Sequence, residues 1–520
     1  MSLEAIDIII VAAYALALIA IATLVSREKA GHKKDTADYF LAGKSLPWWA
    51  IGASLIAANI SAEQIIGMSG SGYAIGLAIA SYEWLAAITL IVVGKYFLPI
   101  FLKRGIYTMP QFLEQRFGVG VKYVMSVFWL GIYVFVNLTT ILWLGATAIN
   151  TLTGADMMIG MVLLAMFAAA YSLYGGLKAV ALTDIIQVVL LIVGGALITA
   201  ITLQKVGDGS IVGGFTHLLT AFPERFDMIL SKDNPQYANL PGLSVILGGM
   251  WVMHFSYWGF NQYIIQRALG AKDVREAQKG IIFAAFLKVI MPFIIVVPGI
   301  AAIALAPDLA KPDQAYPEMM KLVPAGIRGV IFAALIAAIV SSLGSMMNSI
   351  STIFTMDLYR PLFGAGKTER QLVGVGRATS FVALVVALFV ARPLLAGADQ
   401  VFQFIQEFTG FFTPGIVAIF LLGMFVRRAT EFGAIAAVLS SFGLSILLKT
   451  QAPGLPFIDR VGIVFLSCLA IGVVLSYLQK PASADKIVDL GGISFKTGPA
   501  FNISAALVAA VLIAFYAIWW

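Results

Sequence analysis

The sequence predicts an all-α integral membrane protein of about fourteen transmembrane helices. Three observations carry that prediction. Sixty per cent of the 520 residues are hydrophobic and only 12% are charged, too few charges to cover a soluble chain of this length. The apolar residues gather into stretches of about 20, the length that crosses a bilayer. Two of those stretches, Leu46–Gly70 and Gly242–Gln266, carry a polar interruption at their middle, and each opens a set of five spans.

In chain order the expected spans are 4–25, 47–70, 78–103, 121–152, 157–173, 179–204, 243–265, 277–305, 325–355, 373–396, 400–426, 429–449, 459–478 and 499–519. They form one membrane domain over 1–520. It comprises an extra helix at 4–25, a first five-helix set at 47–204, a second at 243–426 and three peripheral helices at 429–519. The first span opens with Glu4 and Asp7 rather than a basic stretch and is too long for a signal-peptide core, so it is not expected to be cleaved. Tyr-Gly-Gly-Leu at 174–177 reads as a turn. The longest connections, 205–242 and 306–324, fall on one side, where they are placed to cap a vestibule.

Charge orients the chain. The net charge of +7 is not a nucleic-acid signal, because the basic residues sit between spans. With the amino terminus outside, the inside connections hold 23 Lys and Arg and the outside connections hold 9. That bias places both ends outside a cell membrane. Lys95 and Lys288 lie within spans. The lone Cys468 excludes a disulfide framework and reads as a buried apolar thiol. His32 and His217 lie in connections and read as solvated. No phosphate-binding glycine loop, zinc spacing or nucleophile elbow occurs, so an enzyme is not expected.

Function is read from the polar residues inside the spans. Such groups are costly in hydrocarbon and mark a solute or ion path. In the first interrupted span, Ala57, Ile60 and Gln64 fall at i, i+3 and i+7 and share a face, with Asn59 and Glu63 on a neighbouring one. In the second, His254, Tyr257 and Asn261 repeat that spacing. Unwinding beside such a run frees carbonyls that can coordinate a cation; bonding between neighbouring helices is the alternative. Ala338, Ser341 and Ser342 present a carbonyl and two hydroxyls on one patch. A hard cation such as sodium prefers oxygen ligands, but serines and small residues also suit close helix packing. Lys288 sits among apolar residues four before Pro292, which cannot donate to its carbonyl. Glu83 is its candidate partner. Asp184 reads either as a second cation ligand or as a helix-start acid. Phe402 and Gln406 are i, i+4 on a span that breaks at Gly410 and Pro414.

Three runs add a resemblance. Asp-Tyr-Phe-Leu-Ala-Gly-Lys-Ser-Leu-Pro-Trp-Trp at 38–49, Tyr-Gly-Gly-Leu-Lys-Ala-Val with Thr-Asp-Ile-Ile-Gln within 174–187, and Ala-Ala-Ile-Val-Ser-Ser at 337–342 resemble the sodium:solute symporter family, nearest its sodium/galactose branch. The similarity runs from about residue 6 to the last span, and is densest over 36–115 and 250–290. It implies a leucine-transporter-type core of five helices and their inverted repeat. It implies sodium as coupling ion, held by the carbonyls of Ala57, Ile60 and Ala338 and the hydroxyls of Ser341 and Ser342, with Asp184 near the inner path. A monosaccharide is the implied solute. Gln64, Glu83, Lys288 and Gln406 correspond to hydroxyl partners, and Asn59 and Asn261 to supporting amides. Tyr257 corresponds to a stacking inner gate, and Met68, Tyr82 and Phe402 to an outer gate. Two positions depart: Ala86 replaces a sugar-contacting serine and His254 a sugar-contacting asparagine. Another solute on the same fold (inositol, amino acid or carboxylate) and a non-transporting membrane sensor remain as alternatives.

Overall fold

The computed structural model describes residues 3–25, 46–106, 108–481, 483 and 486–520, with no side chains at 19, 22–25 and 171–185. His32 and most of the 38–49 run lie outside the described residues. Apart from one isolated bridge between Leu46 and Ala271, every described element is helical. Among the described residues, nine helices are long and apolar enough to cross a membrane, or eleven when each of two bent pairs counts as one span.

The chain begins with α1 (Ala5–Val25). The first interrupted span divides into α2 (Trp48–Asn59) and α3 (Glu63–Ala74), bent by 61°. Then come α4 (Leu77–Arg104) and α5 (Val119–Thr153). The spans expected at 157–173 and 179–204 lie in one element, α6 (Met157–Val206), and the turn expected at 174–177 does not interrupt it. A glycine pair lowers helix propensity by about 1 kcal/mol per residue without removing a backbone donor, so it need not end a helix.

The second interrupted span is an α-turn (Gly249–His254) that widens into a π-turn (Phe255–Phe260), together α7, followed by α8 (Gln262–Leu269). Beyond it lie α9 (Val274–Leu305), α10 (Ile327–Phe363) and α11 (Glu369–Leu395). A second bent pair, α12 (Val401–Thr409) and α13 (Thr413–Phe425), turns by 45°. The chain closes with α14 (Glu431–Gln451), α15 (Phe457–Tyr477) and α16 (Pro499–Ile518).

Burial orders these helices. The apolar window of α10 is 94% inside the protein, whereas that of α16 is 17% inside. So α10 runs through the centre and α16 along the lipid-facing edge. α10 packs on α2, α5, α6 and α11, and α9 packs on α2, α3, α4 and α6. Glycines set the closest of these approaches. A Cβ at Gly299 of α9 would lie 2.1 Å from the Ser69 carbonyl of α3. A Cβ at Gly52 would lie 2.6 Å from Phe283 and 2.7 Å from the Gly280 carbonyl. The first bent pair is thus held against α9 along both its halves.

Candidate functional site

The first break opens the backbone. Its Ser61 amide bonds to the Asn59 carbonyl at 2.9 Å, so the Ala57 carbonyl loses the i+4 donor that a continuous helix would supply. The Glu63 amide turns to the Ser61 hydroxyl at 3.2 Å. Ala57 and Ile60 are buried, as are Ala338, Ser341 and Ser342 of α10. Ser342 Oγ has no hydrogen-bond partner among the described residues. A carbonyl outside the ladder and an unbonded hydroxyl therefore lie on two packed helices. Asp184 lies on α6 within the stretch whose side chains are not described.

After the break, three π-turns surround one cavity of about 90 Å³, room for several waters. Glu63–Met68 contributes Glu63 and Gln64, Tyr133–Leu138 contributes Asn137, and Phe255–Phe260 contributes Ser256, Tyr257 and Trp258. A π-turn adds a residue to the coil, and such turns are frequent at functional sites. Asn59, Glu83, His254, Asn261 and Gln406 also line this cavity, as do Tyr82 and Phe402. Five buried polar atoms around it have no partner among the described residues: Gln64 Oε1, Tyr82 OH, Asn137 Oδ1, His254 Nε2 and Thr413 Oγ1. An unbonded buried polar group costs about 1–3 kcal/mol. Five on one cavity mark a place built to be hydrogen-bonded by something else.

Lys288 is placed differently from expectation. It does not line the cavity. Its ammonium is fully buried, bonds to Asn59 Oδ1 and to Glu83 Oε2 (2.6 Å), and lies 4.8 Å from the Trp258 ring centre. It ties α2, α4 and the π-turn of α7 together and orients two cavity-lining groups. Beside it, Trp84 Nε1 donates to the Val289 carbonyl at 3.2 Å.

Aromatic rings stand among the groups that line the cavity. Tyr82 meets Phe402 edge-on at 5.1 Å and His254 at 6.3 Å. Met68 is fully buried next to Gly67, which abuts Phe402, but it does not line the cavity. Tyr257 OH accepts from Asn59 Nδ2 at 3.1 Å and bonds to Tyr263 OH. Ala86 is buried and contributes nothing to the lining. Glu63, which the sequence placed only on a helix face, accepts from Thr140 at 2.7 Å. Sequence reasoning missed Asn137 and Thr413, which lie in spans without a polar cluster as dense as those at 58–64 and 254–262.

Both long connections dock on the first bent pair. Arg225 donates to the Ala74 carbonyl at 2.6 Å, and its backbone fills the space beside Gly76, whose φ of 101° suits glycine. Asp313 packs on Gly70 and accepts from the Val401 amide at 3.1 Å. Burial pushes the Asp313 carboxyl up to about 7.

Broken helices around a polar cavity at the centre of a helical bundle define a secondary transporter. A profile of the sodium:solute symporter family matches residues 39–440. The sodium/glucose cotransporter of Vibrio parahaemolyticus is 49% identical over 539 residues, covering 100% of this chain and 99% of its own length. The sodium/myo-inositol cotransporter of Bos taurus is 35% identical over 86% of this chain and 67% of its own. A substrate-bound, outward-open structure of a Na+-coupled sialic acid symporter superposes with a TM-score of 0.80 at 25% identity, covering 92% of this chain and 99% of that one. The chain belongs to the sodium:solute symporter family.

Proposed function

We propose that the protein imports a neutral monosaccharide of the glucose or galactose type together with sodium, by alternating access across a cell membrane. The observation that carries this reading is the ring of five unpartnered polar atoms on one cavity between the two interrupted helices. A sugar hydroxyl both donates and accepts, so a ring of amides, hydroxyls and an imidazole can satisfy several at once. Lys288 is neutralised by Glu83, and the other ionisable carboxyl on the cavity, Glu63, is an acid bonded to Thr140, so among the described residues the cavity lining offers no free cation for a carboxylate solute. The name of the 49% identical relative points the same way.

Sodium is assigned to the Ala57, Ile60 and Ala338 carbonyls and the Ser341 and Ser342 hydroxyls, with Asp184 on its inner path. Gln64, Glu83, His254, Gln406, Asn59 and Asn261 hold the sugar, and Lys288 positions Glu83 and Asn59. Tyr82, Phe402 and Met68 form the outer gate and Tyr257 the inner one. A leucine-transporter-type core completes the reading. One sodium entering down a tenfold gradient supplies about 1.4 kcal/mol, and 100 mV adds about 2.3 kcal/mol. One-to-one coupling then sustains roughly 500-fold accumulation. A cyclic polyol is the second reading, since inositol offers the same hydroxyl chemistry and the bovine relative is named for it.

Uptake of labelled hexoses, pentoses, inositols, proline and pantothenate into proteoliposomes, with and without a sodium gradient, tests the assignment. Sodium-driven hexose accumulation is expected. Accumulation of proline or pantothenate without any hexose would end the sugar reading, and binding without uptake would favour a sensor.

A further inference from the structure

A groove of about 770 Å³ opens on the outside of the bundle where the start of α2, the first half of α9 and the start of α16 diverge. Its wall is apolar, built from Ile282, Phe283, Phe501 and the Trp48 indole, which stands edge-on to Phe283 at 5.7 Å. Its rim is basic, with Arg275, Lys279 and Lys496. Lys279 is neutralised by Glu276 at 2.9 Å. Arg275 and Lys496 make no ion pair among the described residues, and both are exposed. All three cations belong to the end of the bundle that the Lys/Arg bias assigns to the inside.

We propose that this groove binds one anionic glycerophospholipid of the inner leaflet, its acyl chain against Phe283 and Phe501 and its phosphate on Arg275 and Lys496. Charge and shape together select that occupant. An apolar concavity on a lipid-facing edge is filled by hydrocarbon, and a basic pocket between membrane helices on the cytoplasmic side draws anionic headgroups. Free phosphate would satisfy the two cations but leave the aromatic wall uncovered. A zwitterionic lipid would fill the wall but leave the cations without a net counter-charge. The site also reaches the transport machinery. Beneath it α2 and α9 cross in direct contact, where a Cβ at Gly280 would lie 2.8 Å from the Ile51 side chain and the Trp48 carbonyl. The Trp48 amide donates to Glu276 Oε2 at 2.9 Å, pinning the start of α2 to α9. A lipid seated there braces the helix that carries Ala57 against the helix that carries Lys288.

Trp48 reports occupancy directly. The purified chain and Trp48→Phe are placed in phosphatidylcholine nanodiscs doped with chain-brominated phosphatidylglycerol or chain-brominated phosphatidylcholine. The difference in emission between the two proteins isolates the Trp48 signal. Brominated phosphatidylglycerol is expected to quench that signal at roughly 25-fold lower mole fraction, since each of the two unpaired cations near an anionic surface contributes about fivefold. Arg275→Gln with Lys496→Gln is expected to erase the preference, and Arg275→Lys with Lys496→Arg to keep it. Inorganic phosphate is expected not to relieve the quenching. Equal quenching by the two lipids in the unmodified chain, a preference that survives the double Gln variant, or relief by phosphate alone would overturn the proposal. Each reading is of binding, so it stands apart from whether the solute is a sugar.

Discussion

The two interrupted helices meet the same cavity in different ways. The first opens between its cavity-facing residues: Asn59 ends α2, the ladder fails at Ala57, the chain bends by 61°, and Gln64 follows on a π-turn. The second keeps its coil beneath His254 and Tyr257 and opens only at Asn261, whose φ and ψ of −81° and 122° are extended. The first therefore offers carbonyl oxygen at its opening and side chains on either side of it. The second offers its side chains while still coiled. Where a break falls relative to a polar run decides which chemistry the helix presents, and this difference underlies the proposed division between an ion site at Ala57 and a solute site at Gln64 and His254.

Lys288 joins the two helices, so removing it is expected to have the largest effect. Lys288→Ala leaves the Glu83 carboxylate buried without its cation, which costs about 3–5 kcal/mol. Thermal unfolding in detergent is expected to show a large loss, and Lys288→Ala with Glu83→Ala to recover much of it. A single variant as stable as the unmodified chain would remove Lys288 from its joining role.

A smaller effect is expected inside the second helix. His254→Asn with Ala86→Ser restores the polar groups that the galactose branch carries. The ratio of glucose to galactose affinity is expected to shift by several-fold toward galactose, about 1 kcal/mol for one hydrogen bond. Competitive binding of the two sugars measures it, and an unchanged ratio would mean that neither position sets specificity.

The smallest effect is expected at the connection that docks on the first pair. The Asp313 carboxyl is held near 7 by burial, above its ordinary value, so the folded chain keeps a proton that the unfolded chain gives up. Its stability contribution is therefore present in acid and lost as pH rises through about 7. The melting temperature of the unmodified chain is expected to fall between about pH 5 and 8 relative to Asp313→Asn. Parallel curves would show that Asp313 does not titrate in this range.

Much of this arrangement was legible in the residues, for reasons that also explain what was missed. Amides, carboxylates and an imidazole in hydrocarbon are conspicuous, so Asn59, Gln64, Glu83, His254, Asn261 and Gln406 all stand out in the sequence, and all line the cavity. Glu83, an acid near the start of an apolar span, is legible as a candidate partner of Lys288, and the two pair at 2.6 Å. A π-turn has no sequence signature, so the inward turn of Asn137 could not be foreseen. Lys288 was expected to touch solute, but a lone ammonium says nothing about how many partners will surround it. The turn at 174–177 was read from two glycines, which permit a break without requiring one.

The separation of ion and solute chemistry is tested most directly by equilibrium binding of labelled glucose to Ser342→Ala and Gln64→Ala across sodium concentration. Ser342→Ala is expected to raise the sodium concentration for half-maximal binding about tenfold, as loss of one charge-assisted oxygen contact implies, and to leave glucose affinity at saturating sodium within about twofold. Gln64→Ala is expected to weaken glucose about five- to thirtyfold at saturating sodium, with the sodium midpoint little changed. If Ser342→Ala altered only glucose affinity, or Gln64→Ala only the sodium midpoint, the assignment of the two sites would be contradicted.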